Sequence, residues 1–387
     1  MSLLFTTIDR IDLDPKGNAE SDYSFINRSA RPAIGQLRDV IESWLVDYPE
    51  PDVNELVNRM RSTEFDSAYF ELLLHTYFVR AGMSVTIHPR MVGTGRRPDF
   101  LVRDGDSEFI VEALTKGDVS DEARGRLNVI ARLYDSIDDL ASPGYYLHLK
   151  ECEIALKSQP SEKQVRKFIK GENERISLMA STEIESYEAE YRDENVRIVL
   201  GAFATSVAKA KTKPARSIGI YPTACTWGNE DQLIKKAIEN KAKNYGEPSV
   251  PYVIAVNCVS QMGPDEVDIV NALYGTEVQH CKDGRIVGVS RKGDGVFHNA
   301  TTPINRQVSA VLIARVLPWN LDKALFKLYL NPWATHRFDP GNLKIRVAEA
   351  VGDELQYRGE TNLLATFCLP VGWPELPAHT AEMALYP

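Results

Sequence analysis

The sequence predicts an α/β protein with a mixed central sheet flanked by helices, and three observations lead there. Apolar residues recur at three- and four-residue steps over 34–46, 63–80 and 231–245, as one face of a helix requires. Short segments of strand character stand between them, at 84–88, 99–102 and 109–113. The run Pro251-Tyr252-Val253-Ile254-Ala255-Val256-Asn257 is apolar almost throughout, the pattern of a strand buried on both faces.

Taken in order, residues 1–60 read as a helical N-terminal extension. Ile34, Leu37, Val40, Ile41 and Leu45 form its apolar stripe, and Pro49 and Pro51 with their acidic neighbours break the pattern. A stronger helix runs from Thr63 to Arg80, with Thr63 and Asp66 as a variant capping box and Gly82 as its C-terminal cap. The strands at 99–102 and 109–113 flank an Asp104-Gly105 turn. Beyond them come a helix at 121–140, a strand at 145–155, a long charged stretch at 161–190, and strands at 196–204 and 217–221. Leu233, Ile234, Ala237, Ile238 and Ala242 share one stripe of the 231–245 helix. A helix at 265–273 and strands at 286–290 and 307–316 follow. Asn331-Pro332-Trp333-Ala334 ends a strand in a turn with Trp333 packed inward, and Pro370, Pro374 and Pro377 mark an irregular tail. The domain reading is an extension over 1–60, a core over 61–337 containing an insertion at about 115–230, and a C-terminal extension over 338–387.

Composition narrows the function. With 387 residues, 43% apolar and 26% charged, the chain has the make-up of a folded protein and not of a disordered one. Its formal net charge of −9 repels polyanions at long range, so nucleic-acid contact requires a local basic surface. Leu3-Leu4-Phe5 is too short for a signal segment and no uncharged stretch is long enough to span a bilayer, so a cytoplasmic protein without a membrane partner is expected. Cys152, Cys225, Cys258, Cys281 and Cys368 are scattered without CxxC spacing, which predicts reduced, mostly buried thiols. The histidines lack ligand spacing, so no zinc site is expected. Gly93-Thr94-Gly95 lacks the Lys-Ser/Thr ending of a phosphate-binding loop, and Gly288 to Gly293 does not fit a nucleophile elbow.

The chemistry concentrates between Phe65 and Gly117, where three acids stand among apolar neighbours. Glu71 has Ala68 and Leu74 three residues to either side, Asp99 opens a strand after Pro98, and Glu112 sits between Val111 and Ala113. Either even-length hairpin loop puts Asp99 and Glu112 on one sheet face within roughly 5–8 Å: a two-residue Asp104-Gly105 loop sets Asp99 opposite Ile110, and a four-residue loop sets it opposite Glu112. Converging carboxylates repel unless something positive lies between them, and hard oxygen ligands favour Mg²⁺ or Mn²⁺. A cation two residues after the glutamate would complete such a site, but that position is Leu114. Lys116, expected past the strand end, and Lys241 are the alternatives.

Arg97-Pro98-Asp99-Phe100, then Phe109-Ile110-Val111-Glu112-Ala113, with Glu71 in the preceding helix, resembles the PD-(D/E)XK, or restriction-endonuclease-like, nuclease superfamily. The resemblance implies a core of helix, three strands, helix and strand, and some members carry the lysine on the second core helix. Lys241-Ala242-Lys243-Asn244-Tyr245 followed by PYVIAVN resembles that helix and strand, with Lys241 and Tyr245 at the step of a Gln-x-x-x-Tyr motif. The chain also resembles a group of bacterial proteins sharing these segments and Asn331 to Ala334, a group that brings no activity with it. The implied function is metal-dependent phosphodiester cleavage of nucleic acid, DNA first, in phage defence or genome maintenance. Glu71, Asp99 and Glu112 would hold Mg²⁺, with Lys241 or Lys116 orienting water. The alternative is a catalytically inactive fold serving as a nucleic-acid-binding or assembly subunit, a homo-oligomer or a partner to another chain.

Each residue also has a plain structural role to set against this one. Glu71 equally suits a pair with Arg96 or Arg97, and Lys116 and Lys241 suit solvated surface positions. Arg90, Arg96, Arg97, Lys209, Lys211 and Lys213 are the candidate phosphate contacts. Lys163, Arg166, Lys167 and Lys170 could add to that surface but share their helix with acids.

Overall fold

The computed structural model describes residues 4–91, 95–117, 121–140, 144–155, 158–204, 216–222, 230–259, 263–282, 284–299, 302–351 and 354–374. These fall into two compact units, one of residues 4–11, 26–117 and 230–374, the other of 12–25 and 121–222.

The chain begins with helices α1 (Asp22–Arg28), α2 (Pro32–Val46) and α3 (Asp52–Met60). Proline stands at the first position of α2, where its missing N–H costs nothing, and Ile34, Leu37, Ile41, Trp44 and Leu45 give the helix a buried stripe. The expected break after Pro49 is short. Pro51 precedes α3, which buries Val53, Leu56, Val57 and Met60 at helical steps. Helix α4 (Phe65–Arg80) is buried over most of its surface. The capping box at its start is not formed: the N-cap is Glu64, without a side-chain cap bond, and Ser62 Oγ accepts the Glu64 N–H instead. Its end is as expected. Gly82 takes φ +86, and the N–H groups of Gly82 and Met83 return to the carbonyls of Val79 and Phe78.

Strands β1 (Ser84–Ile87), β2 (Phe100–Asp104) and β3 (Ser107–Lys116) form an antiparallel meander. The second unit follows: α5 (Asp121–Asp138), β4 (Tyr145–Ile154), α6 (Glu162–Ile176), α7 (Ser181–Ile184), β5 (Glu188–Arg192), β6 (Val196–Ala204) and β7 (Ile218–Ile220). Its sheet runs β5-β6-β4-β7, and Leu147, Leu149, Ile198 and Leu200 join Leu133 and Ile137 of α5 and Val165 and Ile169 of α6 in its core. The charged stretch from 161 to 190 is thus two helices and the start of a strand.

The first unit resumes with α8 (Glu230–Ala242), β8 (Tyr252–Cys258), α9 (Glu266–Tyr274), β9 (Glu277–Lys282), β10 (Arg285–Arg291), β11 (His298–Asn299), β12 (Thr302–Pro303), β13 (Ala310–Arg315), β14 (Leu325–Leu330), β15 (Arg346–Val351), β16 (Glu354–Arg358) and α10 (Leu363–Phe367). Its mixed sheet has eight strands in the order β1-β2-β3-β8-β13-β14-β15-β16. Strand β8 lies between two parallel neighbours, β3 and β13, and every residue in it is buried, as its apolar run predicts. Strand β14 is the one expected to end at Asn331, whereas β15 and β16 were not expected from the sequence.

Helices cover both sheet faces. Phe78 of α4 meets Phe109 edge to face at 5.9 Å, on the side of Val111, Val253 and Ala255. On the opposite side Ile110, Ile254, Val256 and Ile313 form one core with Ile234 and Ile238 of α8 and Ile269 and Leu273 of α9. No described helix is long and apolar enough to cross a membrane. Among the described cysteines only Cys258 is buried, Cys281 and Cys368 being exposed, so the expectation of mostly buried thiols does not hold for them.

Candidate active site

The β2–β3 register brings the central acids together. Phe100 pairs with Val111 and Asp104 with Ser107, so the turn contracts to Gly105-Asp106, with Gly105 at φ +59. One step beyond Phe100–Val111, Asp99 faces Glu112. This is the register in which the two acids are direct neighbours; of the two loop lengths the sequence leaves open it belongs to the four-residue one, and it is reached with a two-residue turn shifted by one residue. The Asp99 backbone is held on its other side, where its carbonyl accepts the His88 N–H at 3.0 Å.

Glu112 is the centre of a hydrogen-bonded group. Its Oε1 accepts from Lys241 Nζ at 2.7 Å and from Asn244 Nδ2 at 3.4 Å, and its Oε2 accepts from the Tyr245 hydroxyl. The Tyr245 oxygen also lies 3.1 Å from the Arg97 carbonyl oxygen, and Arg96 donates to Asn244 Oδ1. Lys241 lies in the last turn of α8 and Asn244 and Tyr245 just after it, where the last carbonyls of a helix lack partners within it. Tyr252 OH supplies one to the Lys241 carbonyl at 3.0 Å, and Gln307 Nε2 one to the Ala242 carbonyl at 3.0 Å. The helix end is thereby fixed against β8 and β13, and Lys241 and Tyr245, four residues apart, both reach Glu112.

The electrostatics follow from this crowding. Asp99 is pushed up to about 7, first by burial, then by the charges of Glu112 and Glu71; the Ala113 N–H, donating to its Oδ2 at 2.7 Å, and Lys241 oppose the rise. The Tyr245 hydroxyl is raised by burial and by its bond to Glu112. Tyr48 is raised by burial and by the charges of Glu71, Asp52 and Asp99, which places those acids around it.

Glu71 is buried, and Arg59 takes both its oxygens in a fork, at 2.7 and 2.6 Å. The partner is therefore Arg59 of α3, not Arg96 or Arg97. Leu114 packs against the core on the α8 side, where a lysine at that position would have stood. Lys116 closes β3 opposite Cys258, inside the strand and not past it, and makes no bond to either carboxylate among the described residues. Four residues of extended strand put it roughly 13 Å along from Glu112. Arg90, Arg96 and Arg97 are exposed, and Lys209, Lys211 and Lys213 lie outside the described residues.

Asn244 and Arg59 were missed in the sequence. Asn244 lies three residues after Lys241 in the turn that follows α8, close enough in sequence to be a usable signal. Arg59 has Glu55 four residues before it, a local decoy that hides the contact with Glu71.

The donor chemistry suits a divalent ion in part. Asp99 and Glu112 are adjacent oxygen-only side chains, and burial and then the charge of Glu112 lift the Asp99 pKa. Glu71 is committed to Arg59, and no group of three or more His, Cys, Asp or Glu side chains is disposed around a metal position among the described residues. The expected three-carboxylate set thus reduces to a pair. No family model, no curated protein and no solved structure matches the chain.

Proposed function

We propose that the protein is a metal-dependent nuclease acting on nucleic-acid phosphodiester bonds, DNA first, at the group Asp99, Glu112 and Lys241. The observation that carries this reading is the lysine ammonium 2.7 Å from Glu112, supplied by a helix because the strand position holds Leu114. The order of α4, three antiparallel strands, α8 and a strand parallel to β3 supports the resemblance to the restriction-endonuclease-like superfamily. Asp99 and Glu112 would hold Mg²⁺ or Mn²⁺. The chemistry such an ion supplies is polarisation of a phosphoryl oxygen and a bound water acidic enough to ionise near neutral pH.

The chain's own groups do the remainder. Lys241 has three ammonium donors and gives one to Glu112, leaving donors for a phosphate oxygen. Asp99, raised by burial and by its acidic neighbours, would give up its proton to take up the ion as a carboxylate. Tyr245 and Asn244 hold the Glu112 carboxylate in one orientation. Such an activity suits phage defence or genome maintenance in the cytoplasm.

One observation favours a second reading. Both oxygens of Glu112 and both of Glu71 already have partners within the chain, as structural ion pairs do. An inactive nuclease-like fold serving as a nucleic-acid-binding or assembly subunit would look the same. Digestion of mixed DNA and RNA with Mn²⁺, by wild type and Asp99→Ala, together with Mn²⁺ titration calorimetry, separates the two. Cleavage and metal binding lost in the variant support the nuclease, and equal cleavage by both excludes this site. Neither cleavage nor binding in wild type leaves the second reading.

A further inference from the structure

We propose that helix α6 carries a binding surface for the phosphate backbone of a nucleic-acid strand, formed by Lys163, Arg166, Lys167 and Lys170. This surface lies wholly within the second unit and does not depend on cleavage at Asp99 and Glu112.

The four cations sit at three- and four-residue steps, on one helical face. The same helix turns Val165, Ile169 and Ile176 into the core on the other side. All four cations line one cavity of about 590 Å³, with Tyr145, Asn173 and Glu174. Of the acids that share the helix, Glu162, Glu172 and Glu174, none forms an ion pair with these four cations among the described residues. Glu172 is only 5% exposed and faces inward, bonded to Tyr187 and, at 3.1 Å, to Arg175. Arg166 donates to the Ser136 carbonyl and lies 3.5 Å from Asp139. Lys163, Lys167 and Lys170 are exposed and make no ion pair among the described residues, and Glu174 is the one carboxylate lining the cavity.

Like charges this close lie within one screening length and repel, so an anion that bridges them is favoured. The stripe from Lys163 to Lys170 rises about 10 Å along the helix axis. A single phosphate meets only part of that span, whereas a strand with phosphates every ~3.4 Å of duplex axis engages all of it. A bilayer is a poorer fit, because the surface is concave and α6 exposes no large apolar side chain among the described residues.

Fluorescence anisotropy on the full chain, with labelled single-stranded DNA, single-stranded RNA and duplex DNA at several salt concentrations, tests this. The triple variant Lys163→Ala/Lys167→Ala/Lys170→Ala should lose ten-fold or more in affinity, and its log K against log salt slope should fall by about 2 to 3. A second triple variant, Lys282→Ala/Lys292→Ala/Lys323→Ala, removes the same charge elsewhere and should bind as wild type. Circular dichroism confirms that each variant is folded, and the single variant Lys167→Ala, with a slope lower by about 1, serves if the triple is not. The proposal is overturned by unchanged affinity and slope in the α6 variants or by equal loss in both triples. It is overturned too by binding confined to vesicles containing phosphatidylserine.

Discussion

Lys241 and Glu112, separated by 129 positions in the chain, meet as an ammonium and a carboxylate oxygen 2.7 Å apart. The contact joins the end of α8 to the middle of β3. Glu112 is 5% exposed and its lysine partner about one third exposed on the side chain. Replacing Lys241 by Met leaves the carboxylate with uncharged donors only. Stability should fall by about 2 kcal/mol, less than for a fully buried pair, as urea unfolding will measure. On the nuclease reading, Mn²⁺-dependent cleavage falls with it by at least ten-fold.

Glu112→Gln should lower the Asp99 pKa from about 7, because the second largest cause of its elevation disappears. Burial, the largest cause, remains, so the value should stay above the ordinary 3.8. Side-chain carboxyl NMR across a pH titration reads the shift, and an unmoved Asp99 would show that the two acids do not sense each other.

The same group ties stability to pH. Native Asp99 keeps its proton to about 7, while the unfolded chain releases it near 3.8, so the native state loses stability as pH rises through that window. Asp99→Asn removes the penalty. Its stability relative to wild type should grow on the order of a few kcal/mol from pH 4 to pH 7 and then stay level. Urea midpoints at pH 4, 5.5, 7 and 8.5 check this.

His75 works in the opposite sense. Burial lowers it from 6.5 to about 4, its ring lies 4.7 Å from that of Tyr48, and its buried Nδ1 has no hydrogen-bond partner among the described residues. The unfolded chain therefore gains a proton first as pH falls from 6.5 toward 4, and stability is lost over that range. His75→Phe should be increasingly stabilised relative to wild type as pH drops, measured in the same unfolding series.

Arg59 and Glu71 form a forked ion pair that also lifts the Arg59 pKa, chiefly through the hydrogen bond to Glu71. Arg59→Ala should cost about 3 kcal/mol by stranding a buried carboxylate, and Arg59→Ala/Glu71→Leu should recover most of it. Failure of the double variant to recover would mean that Arg59 stabilises the fold through Glu64 instead.

Parts of this architecture are legible from local spacing. Tyr252 to Cys258 reads as a buried central strand because no polar residue interrupts it until Asn257, whose amide is itself satisfied by Val316. Gly82 reads as a helix end because only a residue tolerant of positive φ can close α4 there. Glu112 reads as a functional candidate because an acid between Val111 and Ala113 cannot reach water from a buried strand without a partner. The partner itself is not local. Strands β15 and β16 were missed because most of their residues are exposed or half-buried, so no continuous apolar face marks them in the sequence.

By itself, the sequence determined the main helices, the strands β1 to β3, β8 and β13, and the strand positions of Asp99 and Glu112, since period and glycine position act over a few residues. The tertiary structure alone decided that Lys241 and not Lys116 serves Glu112, that Arg59 takes Glu71, and that the hairpin closes in the register that opposes Asp99 to Glu112. Each of these depends on which elements pack together, and that is fixed by burial summed over the whole core and not by any short stretch of chain.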